Sequence, residues 1–216
     1  MHELIATWFG WVRDWHYIGV FLLMAMESSI IPVPSECVIP PAAYWASQGE
    51  MSLAGVVVVG TAGSYFGAMV MYYASRLLGR PLVLRYGKFV LISPAKLEQA
   101  ERFLARYETG GVFFARLLPV IRHLIGIPAG IVRMAPGPYS VMTILGSAVW
   151  CTVLAIFGQQ VLGAEPRLMD DPEALIRALK HKSLTVVAAV LVMTILYIAV
   201  VRMTRKPETE KPTAQT

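Results

Sequence analysis

The stretch Glu27 to Ala43, ESSIIPVPSECVIPPAA, constrains this chain more than any other part of it. It carries two carboxylates, Glu27 and Glu36, and four prolines, Pro32, Pro34, Pro40 and Pro41, among aliphatic neighbours. Proline removes a backbone donor and clashes with the preceding turn, so a straight helix cannot pass through here unaided. The surroundings are those of a lipid-embedded chain: of 216 residues 56% are hydrophobic and 15% charged, with a mean hydropathy of +0.57. Broken backbone and acids at membrane depth are tolerated only when enclosed by protein or facing a water-filled cavity. The expectation is therefore an all-α integral membrane protein in which this stretch is the tip of a re-entrant hairpin.

Residues 1–16 place Leu4, Trp8, Trp11 and Trp15 on one helical face beside Glu3, Arg13, Asp14 and His16. This is the pattern of an interfacial amphipathic helix, and equally of a face that docks on the rest of the protein. The apolar run from Tyr17 stops at Glu27, about half the roughly 20 residues that a crossing requires. Segment 17–46 reads as descent, broken tip with Pro34 and Pro40, and return, closed by a turn at Ser47 to Glu50. Residues 52–78 form the first full span. Its Gly63 and Gly67 lie one turn apart among other small residues, which lets a second backbone approach. Packing on the chain's own hairpin is expected there, ahead of a homo-oligomer contact.

Seven Lys and Arg between Arg76 and Arg106, set against Glu98 and Glu101, place that loop on the cytoplasmic side. Ser93 and Pro94 open an amphipathic helix expected to end at Gly110 and Gly111. A second broken stretch, 111–134, is interrupted by Pro119 and Pro128 and carries Arg116 and Arg122 where the first had glutamates. Pro136 to Pro138 should form a turn, 139–162 a second span, and 183–201 a third, ahead of a disordered cytoplasmic tail, 204–216. The halves repeat the order of broken stretch, turn and glycine-containing span. One full crossing separates the two hairpins, so they should enter from opposite faces as a pseudo-inverted repeat. Residues 17–203 form a single membrane domain.

Isolated and ionised at mid-bilayer, Glu27, Glu36, Arg116 and Arg122 would together cost on the order of 10 kcal/mol. They are expected to meet, acids of one hairpin against arginines of the other. Such a cluster serves either as a structural ion pair or as a site. Guanidinium groups suit a phosphate, which they engage bidentately. Desolvation favours a neutral carboxyl and a neighbouring guanidinium favours the carboxylate, and that opposition lets Glu27 and Glu36 exchange protons. His123 is an accessory candidate, although a lone histidine more often satisfies a local hydrogen bond. Arg133 is expected to snorkel, and Trp45 and Trp150 to serve packing or the interface. No catalytic residue, cofactor or metal site is indicated: Ser28, Ser29 and Ser35 lack a recognisable base, and Cys37 and Cys151 lack metal-ligand spacing. The net charge of +5 marks cytoplasmic loops here and does not point to nucleic acid. The N-terminus lacks the pattern of a cleaved secretory signal.

Glu27 with Pro32 to Glu36 (PVPSE), Gly63, Gly67, Tyr72 and Gly79, then Phe114 to Arg116 with Pro119 and Arg122, Pro128 to Gly130, and Trp150 together resemble the DedA family. These bacterial membrane proteins share the VTT, or SNARE-associated, domain with eukaryotic lipid scramblases. The likeness runs from about Phe21 to Gly158. It implies two opposed re-entrant hairpins and movement of phospholipid across the cytoplasmic membrane. Some members recycle undecaprenyl phosphate, others are linked to phosphatidylethanolamine, and several depend on the proton-motive force. By resemblance, Glu27 and Glu36 match the family's essential acids and Arg116 and Arg122 its essential arginines. The expected function is a proton-linked lipid transporter in the bacterial inner membrane, with undecaprenyl phosphate as the first choice of lipid and phosphatidylethanolamine the second. A membrane scaffold and a lipid-phosphate enzyme are the alternatives.

Overall fold

Helix α1 (His2–Glu27) opens the chain in a computed structural model that describes residues 2–29, 33–86, 94–118 and 121–164. Pro119, the loop 165–182, the third expected span at 183–201 and the tail lie outside the described residues. Helix α1 is kinked at His16, whose φ of 49° and ψ of −121° lie outside the helical region. Before the kink, Trp8 and Trp11 pack on the hydrophobic core around Val12 and Val20, while Trp15 stacks on Trp11 and stays half-exposed. The tryptophan face is thus largely a docking face.

After Glu27 the chain breaks. A 3-10 turn (Ser35–Cys37) follows Pro34, and α2 (Ile39–Ser47) has Pro40 and Pro41 in its first turn, where a missing N–H breaks no helical hydrogen bond. Helix α2 ends with Gly49 at φ 86°, the Gly49 N–H bonding Ala46 O and the Glu50 N–H bonding Trp45 O. This left-handed cap satisfies the orphan carbonyls and turns the chain sharply into the next helix, α3 (Leu53–Tyr86), which is interrupted at Gly79.

Helix α4 (Pro94–Arg116) corrects one expectation: it runs unbroken through Gly110 and Gly111. Each glycine costs about 1 kcal/mol in a helix interior. Packing outweighs that cost, because Val112 and Ala115, just beyond the glycines, are buried against Tyr72, Leu104, Ile125 and Tyr139. A Cβ on Gly111 would lie 2.9 Å from the Phe103 ring, so the glycine makes room for an aromatic side chain on its own helix. The second break therefore begins after Arg116. It holds two short helices, α5 (Ile121–Leu124) and α6 (Gly126–Ile131), with Pro128 in the first turn of α6. Helix α6 ends as α2 does: Arg133, at φ 52°, bonds Gly130 O, and Met134 N–H bonds Ala129 O. Pro136 to Pro138, expected as a turn, are instead the first turn of α7 (Pro136–Ala164).

Two helical stretches are long and apolar enough to cross a membrane, Leu53–Gly79 and Pro136–Gln160. At 1.5 Å per residue each exceeds the roughly 30 Å hydrocarbon core. They run antiparallel, since Ala68 meets Tyr139, Ser64 meets Ser147, and Gly60 lies against Cys151. Their outer faces expose Val58, Phe66, Val70 and Leu77 on one and Val141, Leu145, Val149 and Ile156 on the other, a surface matched to lipid tails rather than to water.

The broken segments grip this pair reciprocally. The limb of α1 after the kink packs parallel to α3, with Gly63 under the Phe21 carbonyl and Gly67 under the Ala25 carbonyl. Helix α6 lies parallel to the same helix, with Gly126 near Ala68 O and Gly130 under Tyr72 O. On α7, Gly146 faces Arg116 and Phe113 from α4, and Gly158 faces Pro40 from α2. Each broken segment thus lays its first limb on the span that follows it and its second limb on the other. The chain also reverses between α1 and α2, because Ser35 meets Trp150 and Pro40 meets Gly158 in the order of α7, which runs against α3.

Candidate functional site

The two breaks bring their charged residues together in the interior. Glu27 is the last residue of α1, and its carboxylate is held at both oxygens: Oε1 accepts the Ser35 backbone N–H at 2.9 Å and Oε2 accepts Arg122 Nη2 at 2.7 Å. Both side chains are all but inaccessible, 1% and 2% exposed. This is a short, charge-assisted contact between residues 95 apart in the chain.

Ser35 is the hub on the first segment. Its hydroxyl oxygen accepts Arg122 Nη1 at 3.3 Å and the indole N–H of Trp150 at 3.1 Å. The Trp150 ring also lies beneath the Arg122 guanidinium, 5.1 Å from its centroid. Arg122 is therefore gripped at its edge by Glu27 and Ser35 and on its face by an aromatic ring. Trp150, read from sequence as a packing or interfacial residue, is buried at this centre. The signal that could have marked it is depth: a tryptophan halfway along an expected span is far from the headgroup level where tryptophans gather.

Arg116 ends α4, buried to 2% exposure, and donates Nη1 to the backbone carbonyl of Arg122 at 3.0 Å. Its Nε has no hydrogen-bond partner and, among the described residues, no carboxylate lies within ion-pair distance of it. Gly146 on α7 makes this position possible, since a Cβ there would come within 2.6 Å of Arg116 Cβ. Glu36 does not reach either arginine. It is half-buried, near enough to His123 to act on it electrostatically, and has no ion-pair partner among the described residues. His123 Nδ1 lies 3.1 Å from the Glu27 backbone carbonyl, which assigns the proton to Nδ1 because a carbonyl only accepts.

Buried hydroxyls surround the cluster and were not singled out by sequence. Ser28 Oγ is 2.8 Å from Ser64 Oγ, which is 3.2 Å from Ser147 Oγ, so one polar seam joins the first break to both long helices. At the far end Tyr72 donates to Met134 O, and Arg76 donates to the Tyr72 hydroxyl at 2.6 Å, fastening the end of α6 to α3. Among the described residues no group of three or more His, Cys, Asp or Glu is placed to hold a metal ion, and Cys37 and Cys151 are not joined in a disulfide. Chemically, the site presents two guanidinium groups and one carboxylate in a protein-enclosed interior.

The double role of Trp150 makes its substitutions separable. Trp150→Phe keeps a ring beneath Arg122 and loses the hydrogen bond to Ser35, and should cost about 1 kcal/mol in detergent unfolding. Trp150→Leu also removes the cation–π contact and should cost about 2 kcal/mol more. Equal losses for the two variants would show that the indole only fills space.

A family model described as the VTT domain matches residues 33–160. An uncharacterized membrane protein, YkoX of Bacillus subtilis strain 168, is 30% identical over 211 residues, 98% of this chain and 90% of its own length. Undecaprenyl phosphate transporter A of the same organism is 33% identical over 173 residues, 80% of this chain and 83% of its own. A Lactococcus lactis subsp. cremoris (strain MG1363) protein named alkaline phosphatase-like is 31% identical over 152 residues, 68% of this chain and 71% of its own. No solved structure matches the chain.

Proposed function

The chain belongs to the VTT-domain (DedA) family of membrane proteins, and we propose that it moves a lipid bearing an anionic phosphate headgroup across the bacterial cytoplasmic membrane. One observation carries this reading: two buried arginines, one of them without a carboxylate partner, converge with a single buried glutamate where both chain breaks meet. A purely structural ion pair needs one cation per anion, and burying a second cation is costly unless something anionic visits it. The relative named undecaprenyl phosphate transporter A supports that lipid as the first substrate to test, with phosphatidylethanolamine second.

In this reading the segments 17–46 and 111–134 are re-entrant hairpins that enter from opposite faces. The reciprocal packing on α3 and α7, the shared left-handed caps at Gly49 and Arg133 and the reversal between α1 and α2 all support it. A third crossing at 183–201 leaves the C-terminus cytoplasmic. Arg116 and Arg122 bind the phosphate, and Glu27 competes for Arg122 and takes up a proton as it yields. Glu36 and His123, outside the ion pair, connect Glu27 to solvent. The lipid tail stays in the bilayer. The protein acts as a transporter: the Ser35 hydroxyl is engaged by Arg122 and Trp150, and the relative named undecaprenyl phosphate transporter A supports transport over catalysis.

Reconstitution into liposomes with labelled undecaprenyl phosphate tests the proposal. Flipping should fall to the protein-free rate with Arg116→Gln, a loss of at least about tenfold for a charge-assisted contact worth 1.5 to 3 kcal/mol. Flipping that survives this change intact would sink the headgroup role, and release of inorganic phosphate by pure protein would revive the phosphatase reading suggested by the relative's name.

A further inference from the structure

The buried charges do not balance, and the imbalance specifies what the site accepts. Arg116 and Arg122 contribute two positive charges and Glu27 one negative, which leaves one positive charge enclosed by protein. Among the described residues the other groups facing the cluster do not cancel it. Tyr139 beside Arg116 and Cys151 beside Arg122 and Glu27 bring a hydroxyl and a thiol, not a carboxylate. Ser35 and Trp150 are uncharged donors and acceptors, and His123 presents its protonated Nδ1 to a carbonyl. Glu36 is only half-buried and lies outside hydrogen-bond reach of both arginines. The Nε of Arg116 is a buried donor with nothing to donate to.

Resting on the phosphate reading above, we propose that the site is filled only as a neutral whole: a phosphodiester monoanion enters without proton exchange, and a phosphomonoester dianion enters together with one proton, which is taken from solvent onto the Glu27 carboxylate. The step balances. One proton moves from water to Glu27 Oε2, the contact of Glu27 with Arg122 is released, and the freed guanidinium edge turns to the second phosphate charge. No covalent bond is made or broken. The geometry favours this route because Oε2 is the oxygen on Arg122, whereas Oε1 stays on the Ser35 amide and can hold the neutral acid in place. The monoester and the diester headgroup thus demand different proton counts from one set of residues.

The test uses the full-length protein in detergent and two probes with the same tail, farnesyl phosphate and its methyl diester. At pH 8 the free monoester is a dianion, its second pKa being about 6. Calorimetric titration in two buffers of different ionisation enthalpy counts protons. The expected result is about one proton taken up per farnesyl phosphate and none per methyl diester, with the monoester dissociation constant rising about tenfold per pH unit while the diester's stays flat. In Glu27→Gln the uptake should vanish. Phosphorus NMR of the bound monoester should show the dianion, placing the proton on the protein. Equal proton counts for the two probes in the unmodified protein, or a bound monoanion, would overturn the inference while leaving phosphate binding intact. Binding of neither probe would overturn the phosphate reading itself. The wild-type comparison needs no variant, so misfolding of Glu27→Gln would not protect the idea.

Discussion

Arg122→Gln should lower the unfolding free energy by about 3–5 kcal/mol, because it leaves the Glu27 carboxylate buried without its cation and held by Ser35. It also removes the donor to Ser35 and the cation above Trp150. Chemical or thermal unfolding in detergent would register a change that large, well beyond the usual effect of a single substitution. The informative variant is the double change Glu27→Gln with Arg122→Gln. Two amides can hydrogen-bond where the ions paired, so most of the lost stability should return. Lipid movement should not return, because half of the guanidinium pair is gone. A structural ion pair makes the opposite forecast, with stability and transport recovering together, and that outcome would transfer the chain to the scaffold reading.

Gly67→Ala and Gly130→Ala should be the most damaging small changes in the long-helix interface, each costing about 3 kcal/mol or more. The added methyl at Gly67 would strike the Ala25 carbonyl, and the one at Gly130 the Tyr72 carbonyl. Both obstacles are backbone, which has no rotamer to yield. The helices would have to part, and in the first case the displaced residue lies two positions before Glu27, so the Glu27 to Arg122 contact would lengthen with it. Gly137→Ala is the control: nothing lies within 4 Å of its added Cβ, and in the first turn of α7 alanine should be neutral or stabilising by up to about 1 kcal/mol. The fraction of protein eluting as a folded species, together with its melting temperature, separates the three. A Gly67→Ala variant as stable as Gly137→Ala, or more stable than the parent, would mean that helix propensity, not close approach, governs these positions.

How much of this could be read before folding differs by feature. The membrane setting, the all-helical class and the long apolar helices were legible because each rests on composition and on runs of sequence. The extent of α4 was not. Two adjacent glycines are a sound local stop signal, overridden here by Val112 and Ala115, whose burial partners lie on α3 and α7. The prolines at Pro136 and Pro138 were ambiguous for a different reason, since a turn and a first helical turn both accept them. At the centre, charge in an apolar setting singled out Glu27, Glu36, Arg116 and Arg122. Ser35 carries no charge and serine is ordinary in apolar segments, so nothing local distinguished it, and Trp150 was marked only by its depth in the expected span.

The sequence by itself determined that this chain belongs in a membrane, that its backbone breaks twice near prolines and which charges lie near those breaks, because hydropathy, proline stereochemistry and the cost of burying charge are local properties. Only the tertiary structure decided that Glu27 takes Arg122, that Arg116 has no carboxylate partner among the described residues, and that Glu36 stays outside the pair. Pairing depends on how closely the limbs can approach α3 and α7, which Gly63, Gly67, Gly130 and Gly146 set in three dimensions. The uncompensated charge of the site, its most consequential property, is a matter of which side chains meet, and no stretch of the chain contains it alone.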